Sequence, residues 1–364
     1  MAKRIYFTVT NDLVFDRRMN RICTTLAENG YDITLVGRKL PSSLPLEKKK
    51  YNQKRVRCFF RKGKWFYAEY NIRLFFYLFF KKMDAVCAID LDTILPCLHI
   101  SRRKKIPRIY DAHELFTGLK EVATRAGVLK TWTRIEKKAV PEFRLGYTVS
   151  ESIAEEFRKR YGVKYETIRN VPLLREWAEP GTHEKFLLYQ GAVNEARGFE
   201  WLMPAMQLVN CKLIICGDGN FMPQLKELIL KYNLGDKVEL KGMLPPEELW
   251  HISRKAYIGL AIAENTGLNQ YLALPNKFFD YIHAGLPQIT MNYPEYQKIN
   301  QEFEVAVLID SAESEKIAAA INNLLGDAVL HQRLRENCLR ARHELNWQKE
   351  EQKLLSFYKS VFGS

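Results

Sequence analysis

The sequence predicts an α/β fold built from two successive doubly wound domains. Three observations carry that expectation. The chain has 364 residues, beyond the roughly 250–300 at which a single hydrophobic core stops growing. Short β-rich apolar runs alternate with helical patterns, the signature of parallel strands joined by crossover helices, and the alternation occurs twice. The two series are separated by Asn170–Glu184, which holds Pro172, Pro180 and Gly181, residues that punctuate regular structure rather than continue it.

The first series opens with Arg4–Thr10 (RIYFTVT) as a strand. A helix follows with Met19, Ile22, Cys23 and Leu26 at helical spacing, and Asn29-Gly30 stops it. Ile33–Val36, Ala85–Ile89, Arg108–Tyr110 and Leu145–Val149 read as further strands. In the second series the strands are Phe186–Gln190, Lys212–Cys216, Val238–Leu240, Ile258–Ala263 and Gln288–Met291. The expected division is a first domain of residues 1–170 and a second of 171–346. A final helix, 347–362, is expected to pack back on the first domain.

Composition narrows the function classes. Hydrophobic residues at 47% and charged residues at 27% are ordinary for a globular chain and exclude disorder, collagen-like repeats and a disulfide-stapled mini-fold. No run reaches the ~18–20 apolar residues of a membrane span. The first residues begin directly as a strand, so no signal peptide is expected. The seven cysteines (23, 58, 87, 97, 211, 216 and 338) contain no C-x-x-C. They are expected to be reduced, mostly buried thiols of a cytoplasmic protein.

The charge is less ordinary: 56 Lys+Arg against 42 Asp+Glu, a net +14. Between Arg38 and Lys64 there are eleven basic residues and one acid, Glu47. Trp65–Phe80 then gathers nine aromatics, and a second basic cluster, Arg102–Lys105 with Arg108, lies in the same half. Two readings stand side by side. One is a solvated basic loop followed by a helix buried against the sheet. The other is a surface for peripheral contact with an anionic membrane, basic residues meeting headgroups and aromatics the interface. Nucleic acid is not expected as a partner, because RNA-binding sheets carry their aromatics on strands of a recognisable module, whereas these fall on a helix.

Four segments carry residues suited to chemistry. Tyr110-Asp111-Ala112-His113-Glu114 ends a strand. A histidine between carboxylates can orient a hydroxyl or hold charge near a developing cation, and the acids can equally cap the next helix. Gly191-Ala192-Val193-Asn194-Glu195-Ala196-Arg197-Gly198 brings a guanidinium to the start of a helix, an arrangement that suits a diphosphate. Gly217-Asp218-Gly219 offers a second close backbone approach. Ala263-Glu264-Asn265-Thr266-Gly267 and Pro275-Asn276-Lys277-Phe278-Phe279-Asp280 supply two carboxylates able to hold sugar hydroxyls, Asp280 being equally suited to its own helix dipole. Gly285 is expected to end that helix.

With these residues in order, the chain resembles the retaining glycosyltransferases of the GT-B class, family 4 (glycosyl transferase group 1). Gly191, Arg197 and Gly198 match that family's first glycine, its basic residue and the following glycine. Gly217 and Gly219 match its glycine turn, Glu264 and Gly267 its E-x-x-G, and Asp280 with Ala284-Gly285-Leu286-Pro287 its second acid and helix end. Asp111-Ala112-His113-Glu114 resembles the segment whose histidine contacts the donor sugar. The resemblance implies two Rossmann-like domains facing a central cleft. It also implies transfer of a sugar from a nucleotide-diphosphate sugar to a hydroxyl acceptor, a glycan or lipid-linked precursor.

Carried over residue by residue, it implies His113, Glu264 and Arg197 in catalysis. Gly191, Gly198, Gly217, Asn265, Thr266, Gly267, Asn276, Lys277 and Asp280 would bind the donor. Asp111, Glu114, Asp16 and Arg17 would lie on the acceptor side. No cofactor and no metal are expected beyond the substrate. Asp90-Leu91-Asp92 has the letters of a metal-binding pair but lies in the first domain and reads as structural.

The chain departs from the pattern in places. Ala192 stands at a family arginine, for which Lys277 is a substitute. The acids are sixteen residues apart, implying an inserted loop Asn269–Asn276, and the second is Asp rather than Glu. The glycine-rich turn after the first strand is replaced by Asn11–Arg18. Two other functions fit the same residues: a GT-B-like sugar-nucleotide epimerase or sugar-phosphate synthase, and a catalytically degenerate nucleotide-sugar-binding protein.

Overall fold

The structure, a computed structural model, describes residues 2–14, 16–179 and 185–363. Pro180 and Gly181 of the expected boundary, and Phe15 of the first loop, lie outside the described residues. Two compact units are formed, Met1–Asn170 with Glu350–Ser364, and Val171–Lys349.

The first unit is a seven-stranded parallel sheet. Its strands are β1 (Arg4–Thr8), β2 (Asp32–Lys39), β3 (Asn52–Arg57), β4 (Ala85–Ile89), β5 (Arg108–Ala112), β6 (Leu145–Thr148) and β7 (Glu166–Thr167), in the order β3-β2-β1-β4-β5-β6-β7. All five residues of β4 are buried, as expected of a central strand covered by helices on both faces. The strand order reverses between β1 and β4, so the loops leaving those two strands meet at their carboxyl ends. There Thr10 Oγ1 donates to Asp92 Oδ2 at 2.5 Å.

Asp16 begins the Arg17–Glu28 helix by accepting the Met19 amide at 3.0 Å, a side-chain N-cap. Met19, Ile22, Cys23 and Leu26 are its buried face. The Gly63–Phe79 helix buries Phe66, Tyr70, Leu74 and Leu78, spaced every four residues, and leaves Trp65, Ile72 and Phe76 exposed. From Glu350 onward the Trp347–Phe362 helix belongs to this unit. Its Tyr358 is fully buried and touches Phe7, Tyr31 and Tyr147.

The second unit holds six parallel strands, β8 (Phe186–Gln190), β9 (Lys212–Cys216), β10 (Val238–Gly242), β11 (Ile258–Ala261), β12 (Gln288–Met291) and β13 (Ala306–Ile309), ordered β10-β9-β8-β11-β12-β13. Here the order reverses between β8 and β11, again bringing the loops that follow them together.

Several expectations are corrected. The basic stretch before the aromatic helix is not all loop: Asn52–Arg57 pairs with β2 as an edge strand of which only Val56 is buried. A charged edge strand carries almost no apolar signal, and its lysines and arginines discourage pairing with another chain. The short strands β7 and β13 were likewise not anticipated. The segment Asn269–Asn276 is not a plain loop, since it contains most of a Leu268–Leu272 helix and the first residue of the Asn276–His283 helix. All seven cysteines are free, and all but Cys58 are buried. No helix among the described residues is long and apolar enough to cross a membrane.

Candidate active site

In the second unit the candidate donor residues gather where β8 and β11 end. β8 runs into Gly191, whose amide donates to Cys216 O at 2.9 Å and so ties it to the end of β9. The two chains approach so closely that a Cβ on Gly217 would lie 1.8 Å from Gly191 O. Gly198 has φ +76° and caps the Phe199–Gln207 helix, a left-handed position that glycine occupies without strain. The Glu264 amide donates to Ala196 O at 3.1 Å, which fixes the loop after β11 beside the one bearing Arg197.

Lys277, on the first turn of the Asn276–His283 helix, is turned inward. It is only 9% exposed, and its Nζ sits 3.5 Å from the Tyr189 ring centroid and has no hydrogen-bond partner among the described residues. Tyr189 is held by its hydroxyl, which donates to Ala192 O at 2.8 Å. Burial, and then repulsion from Arg197, push the Lys277 ammonium well below its ordinary range. A cation–π contact offsets only part of such a desolvation cost. Lys277 thus lies against Gly191 and within electrostatic reach of Arg197, an arrangement in which a bound anion would restore the charge that burial and Arg197 oppose.

Asp280 lies one turn further along. Its Oδ2 accepts from Gln190 Nε2 at 3.1 Å, while Gln190 Oε1 accepts from Ser253 at 2.8 Å. Glu264 is half-buried and Asn265 exposed, and both line a cavity of about 450 Å³ with Trp201, Tyr271 and Tyr293. Thr266 donates its amide to Glu264 O at 2.9 Å, and Gly267 begins the Leu268–Leu272 helix. Asn276 is exposed.

In the first unit His113 leaves the end of β5. Its amide donates to Asp90 Oδ1 at 2.9 Å, and its Nε2 lies 3.0 Å from Asp111 Oδ2. Asp111 also pairs with Arg18 at 3.0 Å, with side chains 0% and 3% exposed, and Arg18 reaches Ile168 O at 2.8 Å. Burial alone would lower the histidine pKa, but Asp111 and then Asp90 outweigh it and raise the value to about 9. His113 is thus an imidazolium at neutral pH. Burial works to raise Asp111, and Arg18 with His113 overcome it, so its carboxylate stays ionised below its ordinary range.

This geometry changes several assignments. Asp111 has no exposed surface with which to meet an acceptor; it is the buried hub that orients His113. Asp16 is occupied as a helix cap. Arg17 is exposed, and it is its neighbour Arg18 that enters the cluster. Glu114 is exposed. Asp90, read as structural, is brought to His113, and it sits at φ +55°, a costly conformation for a non-glycine residue that tends to be kept at functional sites. Arg18 was legible in principle, since it precedes Met19 on the apolar face of its helix. Among the described residues no group of three or more His, Cys, Asp or Glu side chains is placed to hold a metal ion.

The sequence signature described as Glycosyl transferases group 1 matches residues 174–340, and that of Glycosyltransferase Family 4 matches residues 16–173. Alpha-D-kanosaminyltransferase of Streptomyces kanamyceticus is 23% identical over 163 residues, which are 42% of this chain and 39% of that protein's length. Sucrose-phosphate synthase of Thermosynechococcus elongatus superposes with a TM-score of 0.85 at 17% identity, covering 99% of each chain. The Anabaena HepE protein, solved with UDP, gives 0.74 at 10% identity over 98% of this chain and 100% of that one. These two likenesses are of fold. Matched along nearly its whole length by the two signatures, the chain belongs to the group 1 glycosyltransferases and has their GT-B fold of two doubly wound domains.

Proposed function

We propose that the protein moves a hexose, with retention of configuration and without a metal, from a nucleoside-diphosphate sugar to a hydroxyl of a lipid-linked or cell-surface glycan precursor. The observation that carries the donor half is the buried, unpartnered ammonium of Lys277 beside Gly191, with Arg197 close enough to depress it. As the bond from the anomeric carbon to phosphate breaks, negative charge builds on the departing diphosphate. Arg197, Lys277 and the amides near Gly198 and Gly267 neutralise it, and preorganised charge of this kind is usually the largest catalytic effect. Lys277 thereby replaces the arginine lost at Ala192.

Asp280, kept in place by Gln190, binds the ribose, and Glu264 binds the donor sugar. His113, held cationic by Asp111, meets a sugar hydroxyl as donor rather than acceptor. The UDP held by the Anabaena protein of similar fold supports a nucleoside diphosphate. Work at the inner face of a cell membrane is supported by the basic stretch Arg38–Lys64 and by the exposure of Phe59, Phe60, Trp65 and Phe80 around it.

Thermal unfolding with UDP, GDP and their sugars tests the reading. A nucleotide at 100 times its Kd should stabilise the protein by about 2.7 kcal/mol. No shift with any nucleoside diphosphate or its sugars would remove the donor site.

A further inference from the structure

The first unit encloses a cavity of about 740 Å³ that the donor chemistry does not use. Its walls are apolar, formed by Tyr67, Leu95, Phe116, Val122, Trp132 and Ile135. Tyr67 and Phe116 both pack against the Trp132 ring, at 5.1 and 4.8 Å between centroids, so the wall is preformed. A volume in this range can bury most of a drug-sized ligand.

The polar residues of the lining differ in exposure. Leu91 and Asp92 line the cavity and directly follow Asp90, the residue that accepts the His113 amide; Phe116 lies three residues beyond His113. Asp92 is 9% exposed, and burial raises its pKa to about 6 against the pull of Thr10 and His113. Lys64, Glu121 and Arg125 also line the cavity and are exposed, as are Ala126 and Gly127, which follow Arg125. Lys64 ends the basic stretch and lies 5.4 Å from the Trp65 ring. That ring in turn packs with Phe60, and Phe60 with Phe59, which is 83% exposed. The lining of the cavity thus joins exposed residues continuous with a basic, aromatic surface to buried residues that adjoin Asp90.

We propose that this cavity receives the hydrocarbon chain of an anionic lipid whose phosphate pairs with Lys64 and Arg125, a lipid that seats the protein on a membrane and is not itself the acceptor. The occupant follows from the apolar lining, from the exposed cations Lys64 and Arg125, which outnumber the one exposed acid Glu121, and from the exposed aromatics next to Lys64, which suit a molecule drawn from a bilayer surface. The assignment does not depend on the glycosyl-transfer reading, and binding is measured without donor.

Farnesyl phosphate is the probe, followed by quenching of tryptophan fluorescence and by calorimetry, with farnesol and glycerol phosphate as controls. Ala68, exposed on the Gly63–Phe79 helix and lining the cavity, can be enlarged without touching the core. Ala68→Trp should weaken farnesyl phosphate binding by at least about tenfold, the loss expected from excluding about two buried methylenes. The double variant Lys64→Glu, Arg125→Glu should weaken farnesyl phosphate while leaving farnesol unchanged. Failure of the wild type to bind farnesyl phosphate, equal binding by Ala68→Trp, or equal binding of glycerol phosphate would each overturn the proposal. The UDP thermal shift, run on the same variants, should be unchanged. If UDP fails to stabilise the wild type while farnesyl phosphate still binds, the donor reading fails and the cavity assignment stands.

Discussion

A buried amine with no hydrogen-bond partner among the described residues, such as Lys277, costs stability that a diphosphate can return. Replacing it with a methionine of similar shape removes the desolvated charge and keeps the contact with Tyr189. Lys277→Met should therefore raise the stability of the nucleotide-free protein by about 1–3 kcal/mol, while UDP binding weakens by about tenfold or more, the weight of a charge-assisted hydrogen bond. Thermal unfolding with and without UDP checks both; lower stability with unaltered UDP binding would make Lys277 a packing residue. His113 gives a pH test. Its pKa is near 6.5 when unfolded and about 9 when folded. A raised value means that its stabilisation is complete below pH 6.5, declines as pH rises, and is gone above about 9. Between those limits the wild type should lose up to about 3 kcal/mol relative to His113→Gln, measured by denaturant unfolding across pH. A flat difference would show that Asp111 does not hold the proton there.

At the scale of elements, the site depends on how closely the ends of β8 and β9 approach. A methyl group on Gly217 cannot be accommodated 1.8 Å from Gly191 O without separating the two loops. Gly217→Ala should cost about 1–3 kcal/mol, as overpacking does, and should also weaken UDP binding, because Gly191 lies against Lys277. Gly235→Ala, where a methyl would meet nothing within 4 Å, is the control in the same unfolding experiment. These elements were readable to different degrees. Phe186–Gln190 and Lys212–Cys216 each hold four consecutive apolar residues, and the strands coincide with these segments. Asn52–Arg57 carries four polar or charged residues before its single buried valine, so nothing in its pattern marks a strand. It exists because β2 offers an edge.

For the molecule as a whole, the net charge of +14 is the property that governs encounter with other surfaces. Exposed Trp65, Phe76 and Phe80 stand among basic residues of the Gly63–Phe79 helix and its flanks. Binding to vesicles containing anionic lipid should fall as salt rises, since attraction over more than ~10 Å is screened at 0.1 M ionic strength. Neutralising Lys48, Lys49 and Lys50 together with Arg61, Lys62 and Lys64 should weaken it further while UDP binding is retained. Co-sedimentation with vesicles measures both, and equal retention by neutral vesicles would leave the charge as a solvated face.

The sequence by itself determined the two α/β series, the order of the glycine turns and acids, and the family, because those features are local: apolar runs, turn residues and short spacings. It also pointed to Lys277, the residue we propose in place of the arginine missing at Ala192. Only the tertiary structure decided how the first-unit cluster is wired. Arg18 meets Asp111 across 93 positions of chain, and Asp90 meets His113 across 23. Such pairings depend on strand order, here the placing of β4 beside β1, and no local pattern records which loop a crossover connection will bring to which strand end. Burial decided the rest, turning Asp111 from a residue that faces an acceptor into one that holds His113, because a carboxylate removed from water must spend its charge on the cations packed against it.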